Sequence, residues 1–307
     1  MRRSSLFLPG GPAMFQTARL SNLFLVLALL GAILFVPGSG RALEDVSVGS
    51  AESLTGDRVL LDITLEFVPE PPAFVGIARL KFPVGAVIVG GSIAGPRIFQ
   101  VEQGEFAALL DSAGTVWRNG DRDRAEAFDG GADVVMSSGD VLILTANPPF
   151  TVSNIGGKPG SLMDIVIWPP ITERVRPFVT EAGVIFEPLA VGDVRDMPDS
   201  PGRLIVQHMV VPLAERVEFA PSEGPRLLYV ETGTMGLLAA TGTVQYASAA
   251  TNTPGSTGGR LKSLREGDEA LLTAGGAAIL QADSGGTFRN YGRTQLTVLE
   301  VRFANGG

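Results

Sequence analysis

The chain contains one imidazole, His208, and no cysteine. His208 lies within the apolar run LIVQHMVV, residues 204–211. An imidazole in such a run is more often packed and hydrogen-bonded than reactive, and a role as general base would require a carboxylate beside it. Two arginines supply the second candidate chemistry. Arg97 and Arg226 each end a Gly-Pro-Arg triplet, Gly95-Pro96-Arg97 and Gly224-Pro225-Arg226, 129 residues apart. A guanidinium fork can grip a ligand carboxylate or phosphate through two parallel hydrogen bonds. The same fork can close a structural ion pair, with Glu102 or Glu231, or with Asp140 or Asp268, as partner. Both readings stay open on sequence.

The counts exclude several classes of site. Without cysteine there is no disulfide framework, thiolate nucleophile, zinc finger, iron–sulfur cluster or acylated lipoprotein cysteine. With one histidine, a site that needs two or three imidazoles from one chain cannot form. No metal and no cofactor is therefore expected. A Gly-x-Ser-x-Gly elbow, a phosphate loop and a Rossmann fingerprint are all missing. Paired carboxylates for glycoside hydrolysis remain open among 32 acids, but no spacing singles out a pair. Aromatic residues make up 7%, which argues against a platform for stacking carbohydrate.

The elements that must position these residues begin after an N-terminal leader. Leu23 to Val36 form an uninterrupted apolar run of 14, preceded by Arg19 and followed by Pro37, Gly38, Ser39, Gly40, Arg41 and Ala42. A basic flank, an apolar run of about 7–15 residues and small residues at the cleavage point describe a secretory signal peptide. Residues 1–42 are expected to be that signal, cut before Leu43, or a retained signal-anchor. The run is short for a transmembrane helix, which needs roughly 20 residues. Met14 is an alternative start, and Arg2-Arg3 stands too far from the apolar run to make a good twin-arginine signal. The expected location is secreted or extracytoplasmic and membrane-anchored, with membrane contact only through an uncleaved leader. The first 42 residues carry four arginines and no acid, leaving 20 basic against 32 acidic residues, a balance of −12. Such a domain has no electrostatic footprint for nucleic acid.

The remainder repeats itself. Pro69, Pro72 and Pro83 recur 129 residues later as Pro198, Pro201 and Pro212, and Val101-Glu102 and Gly104 recur as Val230-Glu231 and Gly233. Gly139-Asp140 and Leu144-Thr145-Ala146 find matches at an offset of 128, Gly267-Asp268 and Leu272-Thr273-Ala274. Each copy reads as β. Val59, Leu61, Ile63, Leu65 and Phe67 alternate with mostly polar neighbours, and further short β-branched runs are bounded by Gly, Pro, Asp or Asn. Gly (39) and Pro (21) are abundant, which favours short strands and turns over long helices. The expected division is 43–168 for the first domain, 169–197 for a proline-rich linker with an edge strand around Val184 to Phe186, and 198–307 for the second. Arg118 to Asp133 and Ser248 to Gly259 read as surface loops.

The glycine spacing of both copies resembles the cupin superfamily, whose small jelly-roll barrels are often duplicated as bicupins. Gly85 and Gly104 frame its first motif, Gly139 and Asn154 its second, and Gly267 and Gly275 fit the second motif in copy two. The resemblance implies an all-β fold of two tandem cupin-like jelly-roll β-barrels behind the signal peptide. The family's metal ligands are replaced. Gly91 and Ile93 stand at the first-motif histidines of copy one, and Ala220 and Ser222 at those of copy two. Arg97 and Arg226 stand at the glutamate, and Phe150 and Ala278 at the second-motif histidine. An arginine there would repel a divalent metal. The resemblance therefore implies a metal-free cupin, and the family's oxygenase, oxalate-degrading and metal-dependent isomerase activities do not carry over.

In that frame Arg97, Arg226 and Phe150 point into the barrels and are the candidate ligand-binding residues, for a small anionic ligand. The expected function is an exported, metal-independent bicupin that binds a small molecule or serves as a structural module. The alternative is a metal-free isomerase or lyase of the cupin type, using His208 with a carboxylate as its catalytic pair. A third reading is a surface protein whose barrels pack together or form a homo-oligomer.

Overall fold

Alternating apolar and polar residues give strands with one buried face, as the first strand shows: in β1 (Arg58–Leu65) Leu61, Ile63 and Leu65 are buried while Arg58 and Asp62 are exposed. The structure, a computed structural model, describes residues 57–90, 95–145, 149–169, 179–180, 183–248 and 261–306. The expected leader lies outside the described residues, as do Gly91 and Ile93.

The first half continues with β2 (Ala73–Phe82), β3 (Val87–Gly90), β4 (Arg97–Gln103), β5 (Glu105–Leu110), β6 (Gly114–Trp117), β7 (Ala125–Phe128), β8 (Asp133–Ser137), β9 (Val141–Leu144), β10 (Phe150–Asn154), β11 (Gly160–Trp168) and β12 (Val179–Thr180). The second half holds β13 (Ile185–Val194), β14 (Gly202–Val211), β15 (Arg216–Phe219), β16 (Arg226–Thr232), β17 (Thr234–Thr241), β18 (Val244–Ala247), β19 (Lys262–Leu264), β20 (Glu269–Thr273), β21 (Ala277–Leu280), β22 (Gly285–Asn290) and β23 (Leu296–Asn305). No α-helix occurs among the described residues.

Each half is a jelly roll. In copy one the order β2-β11-β4-β9 faces the order β3-β10-β5-β8, and copy two repeats this as β14-β23-β16-β21 facing β15-β22-β17-β20. Outer strands extend the first sheet of each copy to seven. On one side these are β6-β7 or β18-β19; on the other the halves exchange strands. Strand β1 pairs antiparallel with β14 of copy two, and β13 pairs antiparallel with β2 of copy one. Residues 58–65 shifted by 129 are residues 187–194, so β13 is copy two's own version of β1. The stretch expected as a linker, 169–197, thus contains a ten-residue strand built into the sheet of copy one. Its apolar residues Leu189, Ala190 and Val194 are buried, which the prolines around it concealed.

The repeat register changes midway. Val101 accepts from the Gly139 N–H and donates to the Asp140 carbonyl; Val230 does the same with Gly275 and Gly276. Asn154 donates to the Phe82 carbonyl and accepts from the Gly156 N–H, while Asn290 donates to the Val211 carbonyl and accepts from the Gly292 N–H. From β9 onward the offset is therefore 136, not 128, because copy two is longer in the connection that contains 249–260. The counterpart of Gly139 is Gly275, and the counterpart of Phe150 is Gly286 rather than Ala278.

Three apolar cores follow. One fills each barrel, built around Phe82, Phe99 and Phe106 in copy one and around Phe288, Met235 and Leu237 in copy two. The third lies between the two seven-stranded sheets and joins the copies, with Ile77, Ile98 and Ile165 packed in one cluster with Val206, Leu227 and Val301. Ile165→Ala removes buried methyl groups from this shared layer and should cost about 2–5 kcal/mol. Urea denaturation should still show one transition for both copies, whereas two separated transitions would contradict a common core.

Candidate functional site

The Gly-Pro-Arg turns place one arginine inside each barrel. A Cβ on Gly95 would lie 2.1 Å from the Ile167 carbonyl oxygen, and one on Gly224 would lie 2.6 Å from that of Phe303. Only glycine allows the chain to pass so close to β11 or β23 before it enters β4 or β16. The Pro96 carbonyl accepts from the Ile167 N–H and the Pro225 carbonyl from the Phe303 N–H, fastening both turns at the same place.

In copy one Arg97 is fully buried at 0% exposure and Asp164, on β11, is 2% exposed. The Arg97 Nε donates to Asp164 Oδ1 at 2.8 Å and Nη2 to Oδ2 at 2.7 Å, a bidentate fork. Its guanidinium carbon lies 4.8 Å from the centre of the Phe99 ring and 4.6 Å from that of Phe150. Burial pushes the Asp164 carboxyl above the usual carboxylate range, against the pull of Arg97's charge and hydrogen bonds. Arg97 thus has an internal counter-ion, and it is neither of the partners expected for it: Glu102 bonds Arg79, and Asp140 bonds Arg118. Phe150 seals this pair inside the core.

Copy two is built differently around the equivalent pair. Arg226 Nη1 donates to Glu300 Oε1 at 3.1 Å, and Gln207 Nε2 donates to Glu300 Oε2 at 2.5 Å. The ring positions hold Leu228 for Phe99 and Gly286 for Phe150. The missing aromatic has moved across the rung: Phe150 stands opposite Gly90 in copy one, and Gly286 stands opposite Phe219 in copy two. A Cβ on Gly90 would meet the Phe150 ring at 2.1 Å, so each rung has room for one ring. A cavity of roughly 180 Å³ remains beside the second pair. Its apolar side includes Met209, Val217, Phe219, Leu228, Leu280 and Phe288, its inner polar side Gln207, Arg226, Glu300 and Arg302, and the exposed acids Asp57 and Glu218 also line it. Gln207 and Arg302 replace Ala78 and Val166 of copy one. Sequence reasoning missed Asp164, Glu300, Gln207 and Arg302; the 136 offset, had Asn154 been aligned with Asn290, would have paired Asp164 with Glu300.

His208 does not reach that cavity. Alternation along β14 sends Gln207 and Met209 inward and puts His208 on the side of Leu204 and Val206, which pack in the core shared by the copies. There His208 Nε2 lies 3.3 Å from Glu231 Oε2, and Arg79 Nη2 lies 3.3 Å from Glu231 Oε1 while also bonding Glu102. Arg79–Glu102 and His208–Glu231 are repeat equivalents, so the cluster spans the approximate two-fold relation between copies. His208 has its carboxylate, but on the face that joins the barrels, which removes the physical basis for a reaction inside the barrel. Burial raises the Glu231 carboxyl, yet His208 and Arg79 together bring it below its ordinary 4.5. A lowered folded-state value contributes stability that is present above pH 4.5 and is lost as pH falls through the lowered value. Glu231→Gln should therefore melt lower than the wild type at neutral pH, with the gap closing on acidification below about pH 4.5; a gap independent of pH would count against the cluster.

The divalent metal that the cupin resemblance implies does not fit these residues. The glutamate position holds a guanidinium in both copies, Ala220 and Ser222 occupy the described histidine positions, and Ser222 Oγ donates to the Gly224 carbonyl. Among the described residues no three His, Asp or Glu side chains converge to hold an ion. The Arg97–Asp164 pair has a separable test. Arg97→Met leaves Asp164 buried without compensation and should cost about 3–5 kcal/mol, whereas Arg97→Met with Asp164→Leu should be close to neutral or stabilising. Denaturation curves of both variants check this, and a harmless Arg97→Met would overturn it.

No family model and no curated protein matches the sequence. Solved structures similar to the chain include the cupin 2 conserved barrel domain protein from Leptotrichia buccalis, 13% identical over 78% of this chain and 88% of that one with a TM-score of 0.33. Procruciferin, an 11S globulin from Brassica napus, is 11% identical over 80% and 87% with a TM-score of 0.39. The 11S allergen of Cocos nucifera is 9% identical over 82% and 92% with a TM-score of 0.41. Strand order rather than these distant likenesses carries the fold: two successive jelly rolls, each with four strands facing four, give the chain a double jelly-roll architecture of the kind bicupins have.

Proposed function

We propose that this chain is an exported, metal-independent bicupin that binds a small molecule in its second barrel without transforming it, while its first barrel is a structural partner. One observation carries the reading. The barrels share a buried arginine–acid pair, but rings close over it in copy one and a polar-walled cavity opens beside it in copy two. A concave site in which polar groups converge opposite an apolar side is a form that small-ligand sites take, and this cavity has both. The first barrel gives the second an extra sheet strand and a packed outer face, which keeps the cavity walls in place. Phe150 and Arg97 belong to that support. Arg226 belongs to the site, held by Glu300.

The test transfers copy one's rung into copy two. The double variant Phe219→Gly with Gly286→Phe should retain the fold and refill the cavity. In a thermal-shift screen of small organic acids, amides and sugars, ligands that bind the folded state raise the melting temperature. Some compounds should do so for the wild type and lose the effect in the double variant. A screen in which every active compound stabilises both proteins equally would refute the cavity as the site. One equivalent of Mn, Fe, Ni or Zn per purified chain would refute metal independence.

A further inference from the structure

We infer that Arg302 is the ligand anchor of the second barrel, and that the ligand is a small monocarboxylate with an apolar body of about one ring. This deepens the proposed binding function and rests on it. The argument begins with charge. Arg226 and Arg302 are direct cross-strand partners on β16 and β23, and both line the cavity. Like charges opposite one another on a sheet face repel. The interior acid beside them is Glu300, two residues before Arg302 on β23, and both its oxygens are used: one accepts from Arg226 and the other from Gln207. Glu218 is exposed and pairs with Arg216, and Asp57 is exposed and accepts from the Val210 N–H. Arg302 thus makes no ion pair among the described residues, while Asp57 and Glu218 stand at the exposed side of the same cavity. Its Nε is closed off from water and has no hydrogen-bond partner.

A shielded N–H donor of this kind favours an acceptor, and a half-buried guanidinium without an ion-pair partner favours an anion. One such guanidinium suits one carboxylate. Met209, Val217, Phe219, Leu228, Leu280 and Phe288 give the cavity an apolar side, which suits a ligand whose remainder is apolar. A volume of roughly 180 Å³ sets its size: an apolar cavity of about 150 Å³ accepts benzene. Copy one supplies the internal contrast, because Val166 stands at the position of Arg302. The feature therefore belongs to copy two and not to the scaffold.

Calorimetric titration of the full chain with benzoate and phenylacetate, beside benzamide and phenylacetamide as neutral isosteres, tests the inference. The acids should bind at least about ten-fold more tightly than their amides, the preference expected of a hydrogen bond to a charged group. Arg302→Gln should abolish that preference while keeping the weak amide binding, which also reports that the variant is folded; Arg302→Lys should restore part of it. Equal affinity for acids and amides, or an acid preference that survives in Arg302→Gln, overturns the inference and leaves the cavity as a site for a different ligand. Acid binding that persists in the Phe219→Gly, Gly286→Phe variant overturns the binding function itself. No binding of any of the four probes, in a wild type that other compounds stabilise, overturns the ligand class alone.

Discussion

Each half of the chain lends its first strand to the sheet of the other, and the remaining structure follows from that exchange. Because β1 completes the sheet of copy two and β13 completes that of copy one, the two seven-stranded sheets must lie with one face in common. That face becomes an apolar layer belonging to neither barrel alone. Polar contacts cross between the copies as well: Arg79 bonds both Glu102 and Glu231, Glu231 also meets His208, and Arg203 pairs with Asp62. The inward faces are left free of any duty in joining the copies, so their residues can diverge without disturbing the assembly.

The buried arginine–acid pairs show how far that freedom extends. In the first barrel the pair is buried, bidentate and covered by aromatic rings, and such a pair is held by completeness rather than by net attraction. In the second the same two strands keep the pair, at 15% and 3% exposure for Arg226 and Glu300, while Gln207 takes up the spare carboxylate oxygen. One barrel has sealed its polar element and the other has enlarged it into a wall. The same interior positions thus hold different occupants in the two copies.

Much of this could be read from the sequence. Strand periodicity and the duplication derive from local spacing and composition, which side-chain alternation and turn chemistry write directly into the chain. The Gly-Pro-Arg triplets mark both arginines, but their partners, Asp164 and Glu300, come from strands far along the chain that no local signal marks. The strand exchange was hidden because β13 looks, on composition, like a proline-rich connection; only its pairing with β2 gives it a place in a sheet. The register beyond the variable loop was hidden by a chance likeness between Gly139-Asp140 and Gly267-Asp268, and with it went the correspondence of Phe150 to Gly286.

That correspondence bears on how the two halves came to differ. The rung formed by residues 90 and 150 in copy one, and 219 and 286 in copy two, holds one ring and one glycine, on opposite strands in the two copies. Two rings cannot coexist there, since a side chain on Gly90 would overlap the Phe150 ring. A stepwise path from either arrangement to the other must therefore pass through a rung that holds no ring, so the aromatic that now closes each barrel from one strand cannot be traded directly for one on the opposite strand.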